Sequence, residues 1–101
     1  MSDIEKIYTF LSNADLVKVD GKEVDLAGME FVANRICFPS SVVNEGEVKT
    51  INAVMENGES LTIKGTIESV SRKSMLEKLG EGYTTLTHFD AAFSSGAVME
   101  F

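Results

Sequence analysis

The chain has 101 residues, 44% hydrophobic and 25% charged, a composition that is typical of a soluble globular domain and excludes a disordered chain. This length predicts a single domain, 1–101, and no apolar run approaches the ~20 residues that a membrane-spanning helix needs. The 16 acidic and 9 basic residues give a net charge of −7, which disfavours nucleic acid as a partner.

The N-terminal residues follow a helical pattern. Ser2 and Glu5 match a capping box, in which the two side chains satisfy free backbone N–H groups at a helix start. Apolar residues then recur at helical spacing, at Ile4, Ile7, Tyr8 and Leu11. The pattern predicts a helix from Asp3 to Asn13.

A hairpin is predicted around Asp20 and Gly21. A two-residue turn there sets Lys18 opposite Glu23, an opposite-charge pair, and it also sets Val17 opposite Val24. A three-residue loop would instead oppose two lysines, so the two-residue turn is preferred.

Residues 29–38 fit two patterns. The spacing of Met29, Val32 and Ile36 fits a helix, whereas the β-branched and aromatic content of the segment favours a strand. We expect a strand, with a bulge near Asn34 or Arg35 to absorb a change in the apolar alternation. Pro39 ends the element, and 42–47 is expected to be a loop.

The segment 49–67 predicts a hairpin whose register depends on its loop length. A two-residue turn at Asn57 and Gly58 would mix apolar and polar side chains on one face. A three-residue loop of Glu56, Asn57 and Gly58 gives one apolar face. This loop pairs Met55 with Glu59, Ala53 with Leu61 and Ile51 with Ile63.

A short second helix is predicted around Met75, Leu76 and Leu79. Ser69 or Ser71 is the expected cap, and Gly80 lies just past the end. Arg72 and Lys73 near the first turn oppose the helix dipole, which indicates either a small basic contact site or a solvated helix start.

A last hairpin is predicted around a loop of Ser94, Ser95 and Gly96. Its pairs would be Phe93 with Ala97, Ala91 with Met99 and Phe89 with Phe101. The predicted class is therefore α+β, with an antiparallel sheet of about six or seven strands in three hairpins. An N-terminal helix and a short second helix before the last hairpin complete it.

Residues suited to catalysis are few. His88 and Asp90 are close enough in a strand to pair, but with Leu86 they would lie on the face opposite Phe89, away from the core. Cys37 is the only cysteine, so an internal disulfide is excluded. One cysteine and one histidine are too few ligands for a zinc site. No catalytic residue, metal or cofactor is predicted. The lone cysteine and the lack of a signal peptide make a cytoplasmic location the expectation.

The acidity suggests a function. We expect a non-enzymatic interaction protein, such as an inhibitor, immunity or accessory factor, that binds a basic protein partner through an acidic surface. The candidate binding residues are Asp20, Glu23 and Asp25 in the first hairpin, Glu45 and Glu47 in the loop, and Glu56 and Glu59 at the second hairpin.

The sequence is also compatible with two other functions. One is a small-ligand binding domain or enzyme with an apolar pocket lined by Phe31, Phe38, Phe89 and Phe93. The other is a structural subunit that forms a homo-oligomer through an exposed sheet edge or face.

Overall fold

The computed structural model describes residues 3–94, which form two helices and seven antiparallel strands. In chain order these are α1 (Asp3–Asn13), β1 (Leu16–Val19), β2 (Lys22–Val24), β3 (Glu30–Val32), β4 (Arg35–Pro39), β5 (Gly46–Val54), β6 (Ser60–Ser69), α2 (Lys73–Leu79) and β7 (Tyr83–Ser94). The strands lie in the spatial order β2-β1-β5-β6-β7-β4-β3, and the sheet curls into a half-barrel. The predicted α+β class is confirmed.

Helix α1 has the predicted bounds and covers the inner face of the sheet. It buries Ile7 and Leu11 in the main core, beside inward-facing residues of the sheet such as Ile51 and Ile63. Asp3 lies in the first turn, where a carboxylate interacts favourably with the helix dipole. The predicted cap, Ser2, lies outside the described residues.

The two Xaa-Gly hairpins have the predicted registers. Strand β1 pairs with β2 so that Val17 faces Val24 and Lys18 faces Glu23. Strand β5 pairs with β6 so that Ile51 faces Ile63 and Ala53 faces Leu61, and all four side chains are buried. Gly58 has a φ of 93°, which is the left-handed conformation that the three-residue loop requires.

The prediction of one bulged strand over residues 29–38 is wrong. Strands β3 and β4 form a hairpin in which Phe31 faces Ile36 and Val32 faces Arg35. Ala33 and Asn34 form its two-residue turn, with φ values of 53° and 59°. Two consecutive positive φ values match the right-handed twist of a hairpin, and this turn accounts for the change in apolar alternation. The loop predicted at 42–47 is also shorter, because β5 begins at Gly46.

Helix α2 begins without the predicted cap. Its N-cap residue is Arg72, which makes no capping hydrogen bond with its side chain, so a cap at Ser69 or Ser71 is wrong. The hydroxyl of Ser69 instead donates to Glu45. The end is as predicted, because the N–H of Gly80 donates to the carbonyl of Leu76 at 2.8 Å.

The alternation of inward-facing and outward-facing side chains along β7 changes at a bulge. His88 and Phe89 both lie opposite Gly65 of β6, between the pairs Thr66 with Thr87 and Lys64 with Asp90. The extra residue lets Leu86 turn inward, where it is 2% exposed. The prediction that Leu86 lies away from the core is therefore wrong. The second arm of the predicted last hairpin, 97–101, lies outside the described residues.

Two buried threonines of β7 form hydrogen bonds with β4 and with the loop that follows it. The hydroxyl of Thr84 donates to the carbonyl of Val43 at 2.6 Å, and that of Thr85 donates to the carbonyl of Ile36 at 3.1 Å. These hydrogen bonds satisfy both buried hydroxyls without water. A buried hydroxyl that lacked a hydrogen-bond partner would incur a desolvation cost. These bonds supplement a backbone pairing of β4 with β7 that covers only 83–85.

Gly65→Ala should destabilise the fold. A methyl group at this position would lie 2.6 Å from Cβ and 3.1 Å from Cα of Phe89, and the backbone there is held by the bulge. We expect a loss of about 1–3 kcal/mol and a lower midpoint in thermal unfolding.

Gly46→Ala is the matched control for this prediction. Its methyl group would approach only the end of the flexible Lys49 side chain, at 2.9 Å. The expected change is within about 0.5 kcal/mol. Equal melting temperatures for the two variants would show that the bulge does not require glycine opposite it.

Candidate functional site

The seven candidate acidic residues do not form one patch. Asp20, Glu45 and Glu47 lie toward the start of β5, whereas Glu56 and Glu59 lie beyond its end. The nine residues of β5 span about 30 Å when extended. Only part of the set can therefore contact one partner segment.

Two of these carboxylates stabilise the fold. Asp20 accepts a hydrogen bond from the N–H of Thr50 at 2.8 Å and forms an ion pair with Lys49 at 3.5 Å. Glu45 accepts a hydrogen bond from the hydroxyl of Ser69 at 3.0 Å. Because these interactions link separate segments of the chain, Asp20 and Glu45 have structural roles in their present positions.

Five acidic residues lie at the opposite end, and we call this region the acidic end. It consists of Asp15, Glu23, Asp25, Glu56 and Glu59. The carboxylate of Asp15 accepts a hydrogen bond from the N–H of Glu56 at 2.6 Å, which joins the β5–β6 tip to the segment after α1. Asp15 was not among the predicted binding residues. Its position just after the helix is the only local feature of the sequence that sets it apart.

A groove at the acidic end separates α1 from the segment that follows β2. Its volume is about 510 Å³, and one side is lined by Leu11, Ser12, Ala14 and Asp15. The apolar lining residues are Leu11, Ala14, Val17, Val24, Leu26 and Met29. The charged lining residues are Asp15, Glu23 and Asp25, and no lysine or arginine is among the described residues that line it. The groove thus combines apolar walls with acidic groups.

A second cavity, of about 610 Å³, lies beside the other end of α1. It is bounded by the β3–β4 turn, the end of β6, the start of α2 and the bulged part of β7. Arg35, Arg72 and His88 line it, and we call it the arginine pocket. These are the only two arginines and the only histidine of the whole sequence.

Local structure positions each of these three side chains. Arg35 directly follows the two-residue turn at Ala33 and Asn34, and Arg72 is the residue before α2. His88 lies at the bulge with a φ of 41°, a backbone conformation that is uncommon for residues other than glycine. Arg72 belongs to the basic contact site predicted with Lys73, but no local pattern indicates that Arg35 and His88 line the same cavity.

The four phenylalanines of the predicted apolar pocket differ in their contacts and exposure. Phe38 is fully buried in the core, and Phe31 stacks on Tyr8 with ring centroids 5.2 Å apart. Phe93 contacts Phe10 edge-on and remains 52% exposed, while Phe89 lines the arginine pocket. Phe38 belongs to the main core, and Phe31 and Phe89 pack against it, so these three side chains contribute to core packing.

The titratable residues that resemble catalytic groups are dispersed. Between residues 3 and 94, no hydrogen bond or ion pair joins His88 to Asp90, and no group of three potential ligands could hold a metal ion. Burial raises the pKa of the Cys37 thiol, a shift that the Thr85 hydroxyl and the charge of Arg35 oppose and Glu30 increases. This thiol is protonated at neutral pH and is a poor nucleophile.

Comparison of the chain with family models, curated proteins and solved structures finds no match. Neither helix of the described region has the length and apolar character needed to cross a membrane.

Cys37 should resist modification in the folded chain. Its side chain is fully buried and its raised pKa keeps the thiol protonated, so an aromatic disulfide reagent at pH 7 should react slowly. In guanidinium chloride the same thiol should react completely within minutes. Equal rates in the two conditions would contradict the buried position.

The raised pKa of Cys37 also predicts how the stability of the fold changes with pH. The folded thiol binds its proton more tightly than the unfolded one, so ionisation opposes folding. The free energy of unfolding should fall as the pH rises above the ordinary pKa of 9.0.

Proposed function

We propose that this chain is a non-enzymatic interaction protein that binds a lysine- or arginine-bearing segment of a partner protein in the groove at its acidic end. The observation that carries the proposal is the lining of this groove, where apolar walls meet three carboxylates and no basic residue of the described chain. Lysine and arginine side chains have an apolar stem and a cationic head, so they match both parts of such a surface.

The end of α1 adds to the attraction for a cation. The last turn of the helix contains no basic residue, and Leu11 and Ser12 line the groove. The free carbonyl groups at a helix C-terminus carry a partial negative charge, which favours a cation within about one turn. The helix dipole and the carboxylates therefore both attract a cation to the groove.

Two of the carboxylates are held in place. One oxygen of Asp15 accepts from the N–H of Glu56, and one oxygen of Asp25 accepts from the N–H of Ala27 at 3.0 Å. A carboxylate oriented in this way loses less conformational entropy when it binds a cation than a freely rotating one. The second oxygen of each group makes no hydrogen bond within 3–94.

The net charge determines how a partner would approach. At −7 the chain attracts basic proteins over several ångströms, and Glu56 and Glu59 at the neighbouring tip extend the acidic surface beyond the groove. Attraction of this kind raises the association rate and weakens as salt screens it. The mechanism is electrostatic steering, followed by masking of the basic segment.

The test measures binding of a labelled hexapeptide that alternates lysine with leucine. The variant Asp15→Asn, Glu23→Gln, Asp25→Asn removes three charges from the groove and keeps hydrogen-bond acceptors at these positions. We expect about tenfold weaker binding in fluorescence anisotropy, because each exposed charge pair contributes ~0.2–1 kcal/mol.

The control variant removes three charges elsewhere. Glu47→Gln, Glu77→Gln, Glu81→Gln gives the same net charge at exposed positions that do not line the groove. It should weaken binding by less than about twofold. Equal losses for the two variants would contradict the groove as the site, and so would peptide binding that does not change with salt concentration.

A further inference from the structure

We propose that the arginine pocket is a binding site for a small organic phosphate, a phosphate monoester with an apolar or neutral organic part. This site lies beside the opposite end of α1 from the acidic groove and has no part in the function proposed above. Ile4 of α1 lines the pocket, whereas Leu11 and Ser12 line the groove.

The distribution of basic residues carries the inference. The chain has only two arginines and 16 acidic residues, yet both arginines line one cavity with the only histidine. Within 3–94 neither guanidinium forms an ion pair within 4.0 Å or a hydrogen bond. In a chain with 16 acidic residues, two arginines that line one cavity and have no carboxylate partner within 3–94 support pairing with an anion from outside the chain.

Phosphate fits these donors better than other anions. Each guanidinium has a planar set of N–H donors that can bind two oxygens at once, and a phosphate monoester offers three acceptor oxygens with a charge of about −1.5 to −2. The side chains of His88, Asn34 and Ser71 also line the pocket and add donors. The hydroxyl of Ser71 makes no hydrogen bond in the described part of the chain.

One carboxylate, that of Glu68, also lines the pocket. The lining therefore has two permanent positive charges and one negative charge, and the imbalance favours a single small anion. A polyanion such as nucleic acid or an anionic membrane is disfavoured, because the remaining surface of a chain with net charge −7 repels it.

The walls of the pocket suit an organic group. Val70, Met75 and Leu86 are buried side chains that line it, and the volume of about 610 Å³ is within the range of small-molecule sites. Inorganic phosphate alone would leave most of this space filled with water. A ligand with a carbon skeleton would displace that water and contact the apolar wall.

The bulge in β7 gives the site its shape. His88 has a positive φ and Phe89 lies against Gly65, and both residues of the bulge line the cavity. Bulges of this type redirect side chains and occur often beside binding sites.

The experiment titrates the full chain, labelled with ¹⁵N, with glycerol 3-phosphate at constant ionic strength. Because the chain has two arginines, their side chains give two Nε–Hε signals that report the site directly. We expect both signals to shift and saturate together. Glycerol should cause no shift, and succinate, a dianion with two carboxylates, should bind at least about tenfold more weakly.

A matched pair of variants tests the assignment. Arg72 and Lys73 are adjacent and exposed, but only Arg72 lines the pocket. Arg72→Ala should weaken glycerol 3-phosphate binding about tenfold or more, while Lys73→Ala, with the same change in charge, should weaken it less than about twofold. Arg35→Lys keeps the charge but loses the planar donors, and it should also weaken binding severalfold.

Several results would overturn the proposal. These are shifts that stay linear with concentration, equal losses for the Arg72 and Lys73 variants, or succinate binding as tightly as glycerol 3-phosphate. The exposed position of Arg72 allows the variant to fold, and unchanged backbone spectra away from the pocket would verify this.

Discussion

The pairing of β6 with β7 holds the two parts of this sheet together. On one side of it lie β2, β1 and β5, and on the other side lie β4 and β3. Strand β7 pairs with β6 on one side and with β4 on the other, and three residue pairs join it to β4. The hydroxyls of Thr84 and Thr85 reinforce this narrow junction. Residues of both β6 and β7 line the arginine pocket.

Local sequence was sufficient for most of the architecture. The registers at Gly21 and Gly58 follow from turn geometry and from the side chains that face each other across a few residues. Helix α1 was predicted within its observed bounds because one apolar stripe of period 3.6 marks it. In each case the deciding interactions span fewer than about a dozen residues, a range over which a sequence pattern is informative.

Two features could not be predicted, for different physical reasons. The turn at Ala33 has a positive φ without a glycine, so the usual marker of a two-residue hairpin is absent. At the bulge, His88 and Phe89 lie opposite Gly65, a residue that is distant from them in sequence. Such a contact leaves no local pattern, and this is why Leu86 was placed on the wrong face. The arginine pocket shares this origin, because three separate loops and strands bring its basic residues together.

Helix α1 borders both cavities. Ile4 lines the arginine pocket and Leu11 lines the acidic groove, and a helix of 11 residues is about 16 Å long. Any ligand that displaces α1 along its axis therefore changes the shape of the distant cavity by the same displacement. The free-energy coupling between the two ligands would then be reciprocal, so that each alters the affinity of the other by an equal factor. In this arrangement the helix would act as a mechanical link between an anion and a cation bound at its opposite ends.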